Sequence, residues 1–229
     1  MSETATPTSP EPAMQIWQRM PPGWIEFRAI DDPDAWWENY LASGEGWLSE
    51  EATSALTTAF RMGISAFAGT SFDFAGVHLT FDPAPAVWLM CTQVVRTTKD
   101  SAAAKSAVDT HRTLALAKLG PNGSATTFTA GDGRVGTITF TAVPSDDPAL
   151  TSGGVLVAVG ELPLPDRGGS AFLTGFCSDL SQFHDLLIRM AFTLDTLQLL
   201  PEGQQPPADQ PEQEAQTVGS ELRGILDQG

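Results

Sequence analysis

Cysteine and histidine are scarce in this chain. Its 229 residues include two cysteines, Cys91 and Cys177, and three histidines. Two cysteines cannot build the disulfide framework of a small secreted domain. The histidines, His78, His111 and His184, lie on separate predicted elements, and no pair has the spacing of metal ligands. The sequence therefore predicts neither a metal site nor a cofactor.

Basic side chains are also few. Lys and Arg number 12 against 28 Asp and Glu, which gives a formal net charge of −16. A general nucleic-acid binder neutralises phosphates with a surplus of basic side chains, and docking on an anionic membrane surface needs a similar surplus. The charge balance therefore excludes both classes of partner.

Long apolar runs are missing as well. A transmembrane helix needs about 18 or more consecutive apolar residues, and the nearest candidate, residues 180–200, is interrupted by Asp185, Arg189 and Asp195. The first 22 residues contain neither the basic segment nor the apolar core of a signal peptide. We therefore expect a cytoplasmic protein that does not insert into a membrane.

Composition divides the chain into four parts. Residues 1–20 are rich in Ser, Thr, Pro and Glu and are predicted to be a disordered tail, whereas residues 21–200 are predicted to form a single domain. Residues 201–217 are a Pro/Gln-rich linker. Residues 218–229 form a short amphipathic segment with apolar residues at helical spacing, Val218, Leu222, Ile225 and Leu226. So short a helix needs a surface to dock on, so the segment is either a frayed tail or a docking peptide for a partner or for the domain itself.

Acidic residues and tryptophan are concentrated in residues 23–52. This stretch holds eight acids, one base and four of the six tryptophans, namely Trp24, Trp36, Trp37 and Trp47. Because Trp is enriched at binding hot spots, these tryptophans are candidate partner-binding residues, together with Leu222, Ile225 and Leu226. The alternative is that the tryptophans anchor the core and the acids form a solvated helix face.

The hydrophobic pattern predicts an α+β fold. It indicates six or seven strands, predominantly antiparallel, including a hairpin around residues 131–133 and a central strand at 155–159 that is covered on both faces. Three or four helices flank the sheet. A change of apolar phase at Ala75-Gly76 predicts a β-bulge. The last helix is predicted to be long, capped by Asp179, with an apolar stripe at 3-4-3-4-3 spacing formed by Leu180, Phe183, Leu187, Met190, Leu194 and Leu197.

The end of this pattern resembles a known fold. In residues 172–200, FLTGFCSDLSQFHDLLIRMAFTLDTLQLL, a strand ends in Ser178-Asp179 and runs directly into the closing helix. This order is similar to that of the PsbP-like fold and of DcrB-type and LpqN-type bacterial proteins, and the excess of Arg over Lys is typical of actinobacterial-type sequences. The resemblance implies a non-catalytic role in binding proteins or small apolar ligands, because members of that fold are mostly adaptors, assembly factors or chaperones.

Catalytic motifs are weak in this sequence. Residues 131–136, GDGRVG, match the dinucleotide pattern G-x-G-x-x-G, but a strand pattern follows them where a helix is required, which predicts a hairpin turn. Cys177 is the best nucleophile candidate, since it lies where a strand meets a helix. His184 follows it, but seven helical residues separate Cα atoms by about 10 Å, too far for direct proton transfer. A small buried cysteine is therefore the default interpretation.

Three functions follow from these observations. We expect first a non-catalytic protein-interaction module that has a protein partner, such as an adaptor, a chaperone or an accessory subunit of a larger bacterial assembly, for example in secretion. The alternative is a carrier of a small apolar ligand or lipid, held between the sheet and the helices. A thiol-dependent enzyme at Cys177 comes third.

Overall fold

The computed structural model of this protein describes eleven stretches of the chain. They are residues 14–27, 32–43, 48–67, 72–81, 85–95, 101–117, 119–120, 123–147, 150, 152–165 and 169–204. The strands within them are β1 (Met14–Trp17), β2 (Ile25–Phe27), β3 (Phe74–Thr80), β4 (Ala86–Val95), β5 (Ser124–Thr129), β6 (Val135–Pro144), β7 (Gly154–Leu164), β8 (Gly169–Cys177) and β9 (Gln198–Pro201). The helices are α1 (Pro33–Ser43), α2 (Glu50–Phe67), α3 (Ser101–Ala117) and α4 (Phe183–Asp195).

Seven of these strands form one sheet. Its order is β2-β3-β4-β8-β7-β6-β5, and every neighbouring pair is antiparallel. β1 and β9 pair with each other in a separate antiparallel sheet of two strands. These findings confirm the predicted α+β class, the predominantly antiparallel sheet and the closing C-terminal helix. None of the helices in the described stretches is long and apolar enough to cross a membrane.

Helices α1, α2 and α3 cover one face of the sheet. α2 and α3 pack on β4 and β8, and α1 packs on α2. Their core includes Leu89 of β4 and Phe172 and Phe176 of β8, each at most 2% exposed. Burying side chains of this size contributes about 1.5–3 kcal/mol each to folding.

Helix α4 covers the other face. It buries Leu187, Met190 and Leu194 against β7 and β8, as the predicted stripe requires. Glycine allows the helix to come close, because a Cβ atom at Gly175 would lie 2.5 Å from Sδ of Met190. β7 therefore lies between two layers, which confirms the prediction of a central strand covered on both faces.

The β-bulge predicted at Ala75-Gly76 is wrong. β3 pairs with β4 residue by residue over its whole length. The apolar phase changes because both faces are covered: Ala75 and Val77 pack in the core under the helices, whereas a Cβ atom at Gly76 would clash with Met20 on the opposite face. An apolar residue of either parity is therefore buried without an extra residue in the strand.

The closing helix begins later than predicted. Asp179 accepts a hydrogen bond from the Ser181 backbone N–H at 2.9 Å and caps a single 3₁₀ turn, Leu180–Gln182, rather than the α-helix itself. α4 starts only at Phe183, and Gln182 makes no side-chain capping hydrogen bond.

The folded part also extends past the predicted boundaries at residues 21 and 200. Met14–Trp17 lies in the predicted disordered tail but forms β1, which pairs with Gln198–Pro201. Ile16 and Leu199 pack against the core of α4, and this burial explains why these short strands form. The other residues of the predicted tails, 1–13 and 205–229, lie outside the described residues.

Candidate functional site

The predicted partner-binding tryptophans do not form one surface. Trp37 is 1% exposed, and its ring stacks on Phe60 with centroids 4.4 Å apart. Trp36 is partly buried beside it and stacks on Tyr40 at 5.5 Å. Both lie between α1 and α2, so they contribute to the core, which was the alternative interpretation of these residues.

Trp24 lies on the opposite face of the sheet. Its ring stacks on His78 of β3 at 5.6 Å, and the His78 Nδ1 atom lies 2.8 Å from the Gly23 carbonyl oxygen. Burial lowers the pKa of His78, against the effect of this hydrogen bond. The remaining candidates, Trp47, Leu222, Ile225 and Leu226, lie outside the described residues, and partner binding by any of the seven candidates stays a prediction.

Cys177 is not arranged as a nucleophile. It is fully buried, and its thiol donates to the Asp179 carbonyl oxygen at 3.5 Å. Burial raises the pKa of Cys177 to about 12, so the reactive thiolate form is rare at neutral pH. Within the described stretches, no group of three or more His, Cys, Asp or Glu side chains is placed to hold a metal ion.

The GDGRVG motif is the tip of the β5–β6 hairpin, as predicted. Gly133 has φ +85°, a conformation that favours glycine, and its N–H donates to the Ala130 carbonyl oxygen. Gly131 N–H donates to an Asp195 carboxylate oxygen at 2.6 Å, which ties the tip to the end of α4. The motif therefore has a structural role here and opens no helix.

At its β5–β6 end, the sheet is open to solvent on the face that α1, α2 and α3 cover at its centre. Val135 of β6 is 58% exposed, and Thr137 and Thr127 are exposed as well. The helix layer ends at β7, where the Arg112 guanidinium of α3 binds both carboxylate oxygens of Glu161 at 2.6 Å. This hydrogen bonding raises the pKa of Arg112.

Among the described strands, none pairs with the outer edge of β5. In the part of the chain that the structure describes, β5 pairs with β6 alone. The hairpin is closed by the Ala130 N–H, which donates to the Arg134 carbonyl oxygen at 2.8 Å. Hydrogen-bonded pairs recur at every second residue of an antiparallel ladder, so the residues in between direct their N–H and C=O groups away from β6. These residues are Ala125, Thr127 and Thr129.

A cleft of about 240 Å³ opens where β5 begins. It lies between the sheet and the start of α4, and its lining is Ser124, Phe140, Thr141, Ala142, Leu156, Leu180 and Phe183. None of these side chains is charged. Leu156 is buried, whereas Ser124 and Ala142 are exposed at the rim. The Phe140 and Phe183 rings pack at 4.7 Å, which fixes one wall of the cleft.

The sequence reasoning missed both the edge and the cleft. A relevant signal was present, since residues 124–129, SATTFT, contain no charged residue and no proline, the usual protection of an edge strand. However, the hairpin pattern alone cannot tell which strand lies at the edge, because that depends on the order of strands in the whole sheet.

The sequence matches no protein-family profile and no curated protein. Among solved structures, the fold is similar to that of LpqN of Mycobacterium tuberculosis, a protein involved in cell envelope biogenesis. The TM-score is 0.42 and the identity is 12%, over 84% of this chain and 87% of that one. This is a weak resemblance at the level of the fold.

Proposed function

We propose that this chain is a non-catalytic protein-interaction module, acting as an adaptor, chaperone or accessory subunit. It binds an extended segment of a partner protein along the outer edge of β5 and accepts one apolar side chain of that segment in the cleft. The observation that carries this proposal is that a strand edge with no partner among the described strands meets an apolar cleft at Ser124.

The edge of β5 supplies the backbone part of recognition. Natural proteins protect edge strands with charged residues, proline or very short strands, and the six residues of β5 have none of these. An added strand would hydrogen-bond to the outward N–H and C=O groups, which is the established mode of β-strand addition.

The cleft supplies the side-chain part. Ser124 pairs with Phe140, so both side chains point to the face where α4 and the cleft lie. A strand added beside β5 places every second side chain on that face, so the residue next to Ser124 can reach the cleft. Strand addition commonly combines backbone hydrogen bonds for affinity with such pockets for specificity.

The size of the cleft favours a side chain over a lipid. Sites for small molecules usually have volumes of about 300–1,000 Å³, and this cleft has about 240 Å³. One large apolar side chain fits that space, whereas an acyl chain would extend beyond it. The carrier alternative would gain support if native mass spectrometry of the purified chain detected a retained mass of lipid size.

Peptides selected from a displayed random library against the full chain can test the edge. We expect Thr127→Pro to weaken binding of a selected peptide about tenfold, because it removes an outward N–H and about 1.4 kcal/mol of affinity. Thr127→Val is the matched control, since it changes the side chain at the same position and keeps the N–H. Equal binding to both variants would contradict strand addition.

The cleft is tested with a second pair of variants. Ala142→Trp places a large side chain in the cleft and should reduce peptide binding, whereas Val143→Trp places the same side chain on the opposite face of β6 and should not. The unfolding midpoint of each variant shows whether the fold is retained. If both variants bind the peptide like the parent chain, the cleft takes no part in recognition.

A further inference from the structure

We infer that the chain's own C-terminal segment, residues 218–226, occupies the cleft when no partner is bound, with Leu222 as the inserted side chain. This inference rests on the proposed function in one respect only, namely that the partner uses the same cleft. It makes the segment an internal competitor that regulates access to the site.

The segment has the chemistry that the cleft requires. Val218, Leu222, Ile225 and Leu226 fall on one side of a helix at 3.6 residues per turn. Leu222 is central, with an apolar residue one turn away in each direction. The cleft walls, formed by Phe140, Leu180 and Phe183, are apolar and carry no charge. When Leu222 enters the cleft, Val218, Ile225 and Leu226 lie over the rim of the cleft.

The length of the connecting chain suits this contact. The described chain ends at Gln204, just after β9, which follows the C-terminal end of α4. The cleft lies at the other end of α4, and thirteen helical residues at 1.5 Å each separate the two ends by about 20 Å. Thirteen residues, 205–217, separate Gln204 from the segment, and at about 3.1 Å per residue a Pro-rich chain of that length reaches up to about 40 Å, more than α4 and β9 span together.

The connecting chain is therefore long enough to reach the cleft, and this tether raises the local concentration of the segment. A tether that can span the distance between two sites gives an effective concentration of about a millimolar. Even a weak apolar contact is then occupied for much of the time. A partner segment has to displace residues 218–226, so its apparent affinity is lowered by the tethered competitor.

Disulfide trapping in the full-length chain tests the contact directly. We would introduce Ala142→Cys with Leu222→Cys and follow formation of the intramolecular disulfide by intact mass and peptide mapping, with oxidised glutathione as the oxidant. The control pairs Leu222→Cys with Val143→Cys, which has the same linker but lies on the opposite face of β6. We expect the first disulfide to form on the order of tenfold faster, and equal rates would overturn the inference.

A charge placed on the segment gives a second test. In the Ala142→Cys, Leu222→Cys background, Ile225→Asp should lower the rate to that of the control pair, because it places a carboxylate against an apolar wall. Ser220→Asp, on the opposite side of the helix, should leave the rate unchanged. A rate that responds equally to both substitutions would also overturn the inference.

Peptide binding separates this inference from the proposed function. In the chain with its natural cleft, Leu222→Asp should strengthen binding of a selected peptide severalfold, because the competitor is lost. If trapping is fast but no peptide binds, the proposed function fails and the contact stands. If Thr127→Pro weakens peptide binding while trapping is no faster than in the control, the proposed function stands and this inference fails.

Discussion

In the part of the chain that the structure describes, the two edge strands of the seven-stranded sheet differ in how many backbone groups they leave unpaired. At one end, β2 has three residues and lies beside the Trp24–His78 stack. At the other, β5 has six residues, no charged side chain and an open face. Short edge strands offer few groups to a foreign strand. One edge is therefore protected by its length alone, while the other has no such protection.

The same contrast separates the centre of the sheet from the β5 end. At the centre, β4, β8 and β7 lie between α1–α3 on one face and α4 on the other. Beyond β7 the helix layer stops, and Val135 and Thr137 of β6 are exposed. The buried apolar residues are thus concentrated at the centre of the sheet.

Thiol reactivity gives the largest expected difference between these regions. At pH 8 we expect Cys177 to react with iodoacetamide about a thousandfold slower than an ordinary cysteine, because each unit of raised pKa lowers the thiolate fraction tenfold. A cysteine introduced by Ala142→Cys at the open end should react at an ordinary rate. Labelling followed by mass spectrometry measures both, and in denaturant the two rates should become similar. Fast labelling of Cys177 in the folded protein would revive the thiol-enzyme hypothesis.

The Arg112–Glu161 contact, where the helix-covered part of the sheet meets the open end, should give the next largest effect, a loss of folding stability. Arg112→Ala leaves the Glu161 carboxylate, 15% exposed, without its guanidinium partner. We expect the free energy of unfolding to fall by about 1.5–3 kcal/mol, the range for hydrogen bonds to charged groups. Urea unfolding followed by tryptophan fluorescence measures this loss. Arg61→Ala is the control, because Arg61 and Asp34 form an exposed ion pair and the midpoint should not change. Equal losses would mean that the pair at Glu161 does not hold α3 on the sheet.

The protected end should show the smallest effect, as a dependence on pH. The pKa of His78 is lowered below its usual 6.5, mainly by burial and also by the charge of Arg189. The unfolded chain therefore takes up a proton first as the pH falls below about 7, and stability decreases until the pKa of the folded state is passed. In His78→Gln, which keeps a donor for the Gly23 carbonyl, the midpoint of thermal unfolding should fall less between pH 7.5 and 5.5. If the midpoint of His78→Gln falls as far as that of the parent chain, other groups cause the pH dependence.

Local patterns in the sequence were enough to predict most elements. The spacing of Leu187, Met190 and Leu194 identified the buried face of α4, and Gly133 marked the β5–β6 turn. The wrong β-bulge arose because one strand, read alone, does not reveal that Met20 covers its second face. Pairing partners far apart in the chain were the hardest to predict. Arg112 and Glu161 are 49 residues apart, and no local pattern links them.

The candidate site also depends on contacts between residues that are far apart in the sequence. Ser124, Phe140 and Phe183 come from three elements, and they form a cleft only because α4 packs on the face of the sheet to which the Ser124 and Phe140 side chains point. The prediction of the tryptophans rests on the local excess of Trp and acidic residues. That excess does not distinguish the core position of Trp37 from a binding surface. The C-terminal segment is different, since its apolar spacing was visible in the sequence and only its docking surface was missing.

The position of β8 determines how this chain can fold. In the sheet it lies between two groups of three strands, β2-β3-β4 and β7-β6-β5, although it is synthesised after all of them. β4 pairs with β8, whose first residue, Gly169, follows the end of β4 by more than seventy positions. Contacts so distant in sequence slow folding, because the loop must close before the pairing stabilises it. During synthesis, β4 therefore stays without its second partner until β8 emerges, and an unpaired apolar strand edge favours aggregation.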